Sequence, residues 1–197
     1  EYSKYALKAG NTFGSIRGLE FCNYDYYVLK VSLKVLLLSV RLKKMYLEAG
    51  YPDYAHNCQS VAAYIYIARG NLAKAEKLVR EIVEKGGITD SNGEFIRHRE
   101  RNYHLLGQYY MLKNQYDSAE NNFRKLIKHR YYADAYNGLL SLYAKEGKTD
   151  SVFKYAPLSH RAFTDLQTFI NGAAALRMKN SYNYFAYKSD AIAKANE

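Results

Sequence analysis

The chain repeats itself. The segment starting at Glu100 aligns without gaps with the segment starting at Ala133, an offset of 33 residues, which matches Tyr103 to Tyr136, Leu106 to Leu139, Tyr110 to Tyr143, Asn114 to Gly147 and Ala119 to Val152. An earlier copy, carried by Ala62, Ala63, Tyr66, Gly70, Asn71, Leu72, Ala75, Val79 and Ile82, lies 44 residues upstream. Its extra length falls in Gly86-Gly87-Ile88-Thr89-Asp90-Ser91-Asn92-Gly93, a turn-rich stretch where an insertion costs little loop entropy. A period of this size means a row of small units, each burying its apolar face against the next.

Each unit has the pattern of two amphipathic helices. Tyr103, Leu106, Gly107 and Tyr110 recur at i, i+3, i+4 and i+7, the spacing of one helical face. The turn carries Gly70-Asn71, Asn114 or Gly147, residue types that tolerate the left-handed conformation at a helix end. The second helix starts near Asp117-Ser118 or Asp150-Ser151, which are suited to N-capping. Ala75 and Ala119 are small enough for close helix crossing. An all-α fold follows. The chain holds only two prolines, Pro52 and Pro157, in 197 residues, too few for the dense turns of a β-sandwich.

The pattern resembles the tetratricopeptide repeat (TPR). The Glu100 unit carries that family's residues as Tyr103, Leu106-Gly107, Tyr110, Tyr116, Ala119 and Phe123; in the next unit Leu140 stands for the family's glycine and Val152 for its alanine. The resemblance implies a right-handed α-α superhelix of antiparallel helix pairs with a C-terminal capping helix. The chain then divides as one helical-repeat domain over 1–197: divergent N-terminal helices in 1–52, three TPR-like units in 53–160 with the insertion near 86–94, and capping or linker helices in 161–197. Residues 25–49 read as one long helix with Val28, Val31, Val35, Leu38, Leu42 and Met45 on one face. Pro157 is predicted to end the last repeat helix near Tyr155, because proline lacks the amide donor and clashes with the preceding turn. One or two closing helices are expected between Leu166 and Ala195.

In TPR folds the first helix of each unit lines a concave groove. Carried onto this sequence, the groove positions are Asn57, Ser60 and Tyr64; Arg101, His104 and Gln108; and Asp134, Asn137 and Ser141. Such polar side chains can hydrogen-bond an extended peptide. The TPR clamp for a terminal carboxylate needs lysine where this chain has Ser60 and His104, so that route is not expected. Tyr103, Tyr110, Tyr116, Tyr136 and Tyr143 fall at consensus packing places, whereas Tyr109, Tyr131 and Tyr132 fall off them and are candidates for contact surface. The C-terminal part also resembles bacterial membrane-anchored TPR sensor-regulators, through Asp150-Ser151-Val152, Leu166-Gln167-Thr168, Tyr182-Asn183-Tyr184 and Ile192-Ala193. That likeness implies a sensing or scaffolding domain facing the periplasm, with a membrane span beyond Glu197; a cytoplasmic location is the alternative. The chain opens on Glu1 in a helical pattern without a signal peptide, as a piece of a longer protein would.

No constellation for chemistry emerges. Cys22 and Cys58 cannot build a disulfide framework or a zinc site. His56, His98, His104, His129 and His160 match no metal-binding motif, and there is no glycine-rich phosphate loop. No cofactor or metal is therefore expected, and an enzyme on a helical scaffold is the least supported class. The apolar run from Val35 to Val40 is too short to span a bilayer. The net charge of +10 is spread out, densest at Arg124-Lys125, Lys128, His129 and Arg130, and contains no five-residue basic block. It biases partners towards acidic protein or peptide surfaces. The alternative is a nucleic-acid binder that uses the basic, tyrosine-rich surface. The oligomeric state is left open.

Overall fold

A computed structural model describes the backbone of residues 2–8, 10–97 and 99–195, and side chains as far as Leu176 except at 2, 3, 5 and 28. The described residues form ten helices and no strand: α1 (Tyr2–Lys8), α2 (Thr12–Val28), α3 (Ser32–Glu48), α4 (Pro52–Asn57), α5 (Ser60–Ala68), α6 (Leu72–Lys85), α7 (Asn102–Leu112), α8 (Tyr116–Lys128), α9 (Tyr132–Glu146) and α10 (Thr149–Ala195). His98, and the side chains of Tyr182-Asn183-Tyr184 and Ile192-Ala193, lie outside the described residues.

One turn closes seven of these helices. A residue with left-handed backbone (Gly10, Lys30, Gly50, Gly70, Asn114, Arg130 or Gly147) follows the helix. The next amide then donates to a carbonyl five residues back, as in Asn71 N to Tyr66 O and Gln115 N to Tyr110 O, both 2.9 Å. This is the Schellman closure, which satisfies carbonyls the helix end would leave free. Glycine takes that conformation without penalty, whereas Lys30 and Arg130 each pay a steric cost of about 1–2 kcal/mol.

Two turns depart from the sequence pattern. The single helix expected over 25–49 is broken at Leu29–Val31, because Lys30 turns left-handed (φ 58°) and α2 then packs back on α3. The first helix of the first unit is broken at Cys58-Gln59 into α4 and α5. Helices joined by such short turns and packed along their length run antiparallel. Apart from α4 and α5, each packs on its sequence neighbours, and α5, α7 and α9 also pack on one another in succession.

The expected caps are displaced as well. Gln115, not Asp117, is the N-cap of α8, and it makes no side-chain bond. Asp117 and Asp150 instead sit in the first turns of α8 and α10, where a carboxylate offsets the positive end of the helix dipole. Asn11 and Asn71 do cap, accepting from Gly14 N at 2.7 Å and Lys74 N at 3.1 Å.

The main core runs from α5 to α10 through Ala75, Val79, Ile82, Leu105, Phe123, Leu126, Leu139 and Leu142. A second cluster, Ile16, Leu42, Tyr46, Ala55 and Cys58, holds the N-terminal helices. Phe123 of α8 sits in a notch made by two glycines: a Cβ on Gly107 would lie 2.3 Å from its Cε1, and one on Gly138 2.4 Å from its Cδ1. The insertion is pinned rather than loose. Ile88 and Phe95 are buried, the Phe95 amide donates to Tyr103 Oη at 3.0 Å, and Lys125 Nζ reaches Glu94 at 2.7 Å.

Pro157 does not end α10, which continues to Ala195, about 70 Å at the helical rise. Pro157 and Phe153, whose carbonyl loses its donor, are both exposed, so water can take the place of the missing bond. Meanwhile Tyr155 holds the helix against Tyr136 and Tyr143 of α9, with ring centroids 6.2 and 5.3 Å away. Residues 161–176 extend this one helix instead of forming separate closing helices, and all but Ala162 and Ala173 are exposed. Among the described residues no helix is long and apolar enough to cross a membrane.

Candidate functional site: a tyrosine- and arginine-lined cleft

Three units contribute to one polar cluster. The Tyr64 hydroxyl of α5 and His104 Nδ1 of α7 share a hydrogen bond of 3.0 Å, with the rings 5.6 Å apart. Arg101, at the start of α7, donates through Nε to Asp134 of α9 at 3.0 Å. Burial raises the Tyr64 phenol, and the charge of Asp134 adds to it. Burial also lowers the imidazole of His104; Asp134 opposes that shift and Arg101 reinforces it.

The sign of this last shift gives a pH dependence. A histidine whose folded pKa lies below its unfolded value of about 6.5 stabilises the fold in its neutral form. That stability is complete above the unfolded pKa and is lost as the pH falls through the folded one. The urea midpoint is expected to drop between pH 7.5 and pH 5, and to drop less in His104→Gln, which stays uncharged. Equal drops in both proteins would remove His104 as the source.

Beside this cluster opens a cleft of about 610 Å³, a size that suits burial of a small ligand or a few side chains. Tyr24 of α2, Arg101, the α8–α9 turn with Arg130 and Tyr131, and Tyr132, Asp134 and Tyr136 of α9 form one part of it. Leu158, Arg161, Ala162, Asp165, Leu166 and Ile170 of α10 form the other.

Of the nine groove positions, Arg101 and Asp134 line this cleft, and Tyr64 and His104 adjoin them electrostatically. Gln108 is half-buried further along α7, while Asn137 and Ser141 are exposed on the Asp134 face of α9. Asn57 is buried at the end of α4, just before the break at Cys58-Gln59. Ser60 is half-buried and spends its hydroxyl on the Asn57 carbonyl at 2.8 Å.

Tyr131 and Tyr132 do line the cleft, but Tyr109 is a core residue at 7 % exposure. Arg130 stands out in the sequence only as part of the densest basic stretch; Tyr24 has no local signal for the cleft, and Arg161 and the apolar residues of α10 are missed because Pro157 is predicted to end the last repeat helix. The four-residue spacing of Leu158, Ala162, Leu166 and Ile170 is the signal that could have found them.

Other chemistry is sparse. Among the described residues no three His, Cys, Asp or Glu side chains gather as a metal site would require. Burial pushes the Cys58 thiol up to about 12, which holds it protonated at neutral pH and unreactive. Comparison of the chain with protein-family models, with curated proteins and with solved structures gives no match.

Proposed function

We propose that this chain is a non-catalytic protein-interaction module: TPR-like helix pairs, wound as a right-handed superhelix, whose concave face holds a segment of a partner polypeptide. One observation carries it. Arg101 and Asp134, one repeat apart, are joined at 3.0 Å at the wall of the cleft, with Tyr64 and His104 joined beside them. Three successive units thus offer polar and aromatic groups to one surface, the mixture that peptide grooves use to orient a backbone and bury its side chains. In this proposal the module is the sensing or scaffolding part of a larger bacterial signalling or regulatory protein.

The test is selection of peptides from a display library on the immobilised protein. Asn137 and Ser141 lie exposed on the Asp134 face of α9, so lysines there leave the core alone. Recovered peptides are expected to bind the Asn137→Lys/Ser141→Lys variant at least about tenfold more weakly, a loss of about 1.4 kcal/mol. Unchanged binding, or recovery of no peptide while a single-stranded RNA binds in a salt-sensitive manner, rejects the proposal.

A further inference from the structure

We infer that the cleft beside α10 selects an acidic polypeptide segment carrying bulky apolar side chains, with Arg130 and Arg161 taking its carboxylates. The inference rests on the groove proposal and adds the chemistry of the partner.

The apolar part comes from α10. Leu158, Leu166 and Ile170 line the cleft while remaining 37, 40 and 49 % exposed. They are neither core nor fully hydrated, and a partner side chain that covered them would gain their remaining apolar area. Tyrosines from α2 and α9 complete the lining, with Tyr132 and Tyr136 stacked at 6.1 Å. Rings of this kind bury a large area and keep a hydroxyl free for a peptide backbone.

The charged part follows from how the arginines are paired. Arg101 is neutralised by Asp134. Arg130 and Arg161 take part in none of the ion pairs among the described residues. Asp165 is the one further acid in the lining, so three arginines face two aspartates. That surplus lies against a partly apolar wall, where a charge is screened less than in open water. Guanidinium presents a planar fork that matches a carboxylate. Arg130 comes from the α8–α9 turn and Arg161 from α10, so the two cations border the cleft from different elements.

A nucleic acid fits this arrangement less well. Bases could stack on the tyrosines, but Leu158, Leu166 and Ile170 match no part of a strand, and no basic block tracks a phosphate backbone. An acidic peptide uses both the apolar and the cationic parts.

The experiment is fluorescence anisotropy with synthetic probes: a peptide alternating glutamate with leucine and phenylalanine, the same peptide with glutamine for glutamate, the same with alanine for the apolar residues, and an oligouridine. The acidic apolar peptide is expected to bind at least about tenfold more tightly than either altered peptide, a preference of about 1.4 kcal/mol, and to weaken as salt rises. Arg130→Gln with Arg161→Gln is expected to erase the preference for glutamate over glutamine. Leu166→Ser with Ile170→Ser is expected to erase the preference for leucine and phenylalanine. All four side chains are exposed, so circular dichroism should show each variant folded. Arg80→Gln, on the outer side of α6, should change nothing.

Equal binding of the glutamate and glutamine peptides, a preference that survives in the double arginine variant, or tighter binding of oligouridine overturns the inference. If library peptides still depend on Asn137 and Ser141 while the acidic probe shows no preference, the groove stands and the partner chemistry falls. If neither dependence appears, the groove proposal itself falls.

Discussion

Phe123→Ala should destabilise the protein by about 3–5 kcal/mol, the usual range for removing a fully buried phenylalanine. Phe123 is completely buried and belongs to α8, but its ring fills the notch between Gly107 of α7 and Gly138 of α9. Removing it takes contacts from three helices at once. The two flanking glycines have no side chains with which to close the space, so the cavity should persist. Domains of this size are stable by only about 5–15 kcal/mol, so the loss is a large share of the total. Urea unfolding followed by circular dichroism measures it. A loss below about 1 kcal/mol would mean that the three helices close over the cavity.

The reverse defect should cost less, but still a measurable share of the stability. Gly138→Ala places a Cβ 2.4 Å from Phe123 Cδ1, closer than carbon atoms approach, and the ring has little room to retreat. His104 lies 5.8 Å from it, centroid to centroid, and Gly107 closes the other side. The expected cost is roughly 1–3 kcal/mol. A double variant tells this overpacking apart from a change in helix propensity, which by itself favours alanine over glycine. Gly138→Ala with Phe123→Leu should be less destabilised than the sum of the two single changes, because the smaller side chain makes room for the new methyl. Additivity within about 0.5 kcal/mol would show that the alanine and the ring do not collide.

The same notch shows how much of the fold was legible in the sequence. Gly107 is part of the repeat signature and Gly138 is not, since the repeat alignment puts Leu140 where the family has glycine. Only the packing of α9 on α8 reveals that Gly138 serves the same ring from the other side. The turns divide in a similar way. Gly10, Gly50, Gly70 and Gly147 have a sequence signal for the left-handed conformation, and the helices around Gly70 and Gly147 were foreseen. Lys30 and Arg130 have none, and so residues 25–49, across the Lys30 turn, read as one helix. Any side chain pays at those two positions, and the packing of α2 on α3 and of α8 on α9 supplies the offset.

The cleft was legible in pieces. Arg101 and Asp134 follow from what the TPR resemblance implies, and Tyr131 and Tyr132 from their position off the consensus. Nothing local connected them with Tyr24, which lies 77 positions before Arg101, or with Leu166 and Ile170 beyond a proline. Asn57 shows the opposite failure. Its place in the repeat points to the groove, but it is buried at the end of α4.

The all-helical class, the helix pairs around Gly70, Asn114 and Gly147 and most of the turns can be read from the chain. These depend on apolar spacing and on residues with special backbone freedom, both of which act over a few positions. The tertiary structure alone decided that α10 runs on past Pro157, that Phe123 sits between two glycines, and that Arg130 and Arg161 border one cleft. Each of these depends on neighbours distant in the chain: the tyrosines of α9 that hold α10, the helices that shape the notch, and the α8–α9 turn that faces α10 across the cleft.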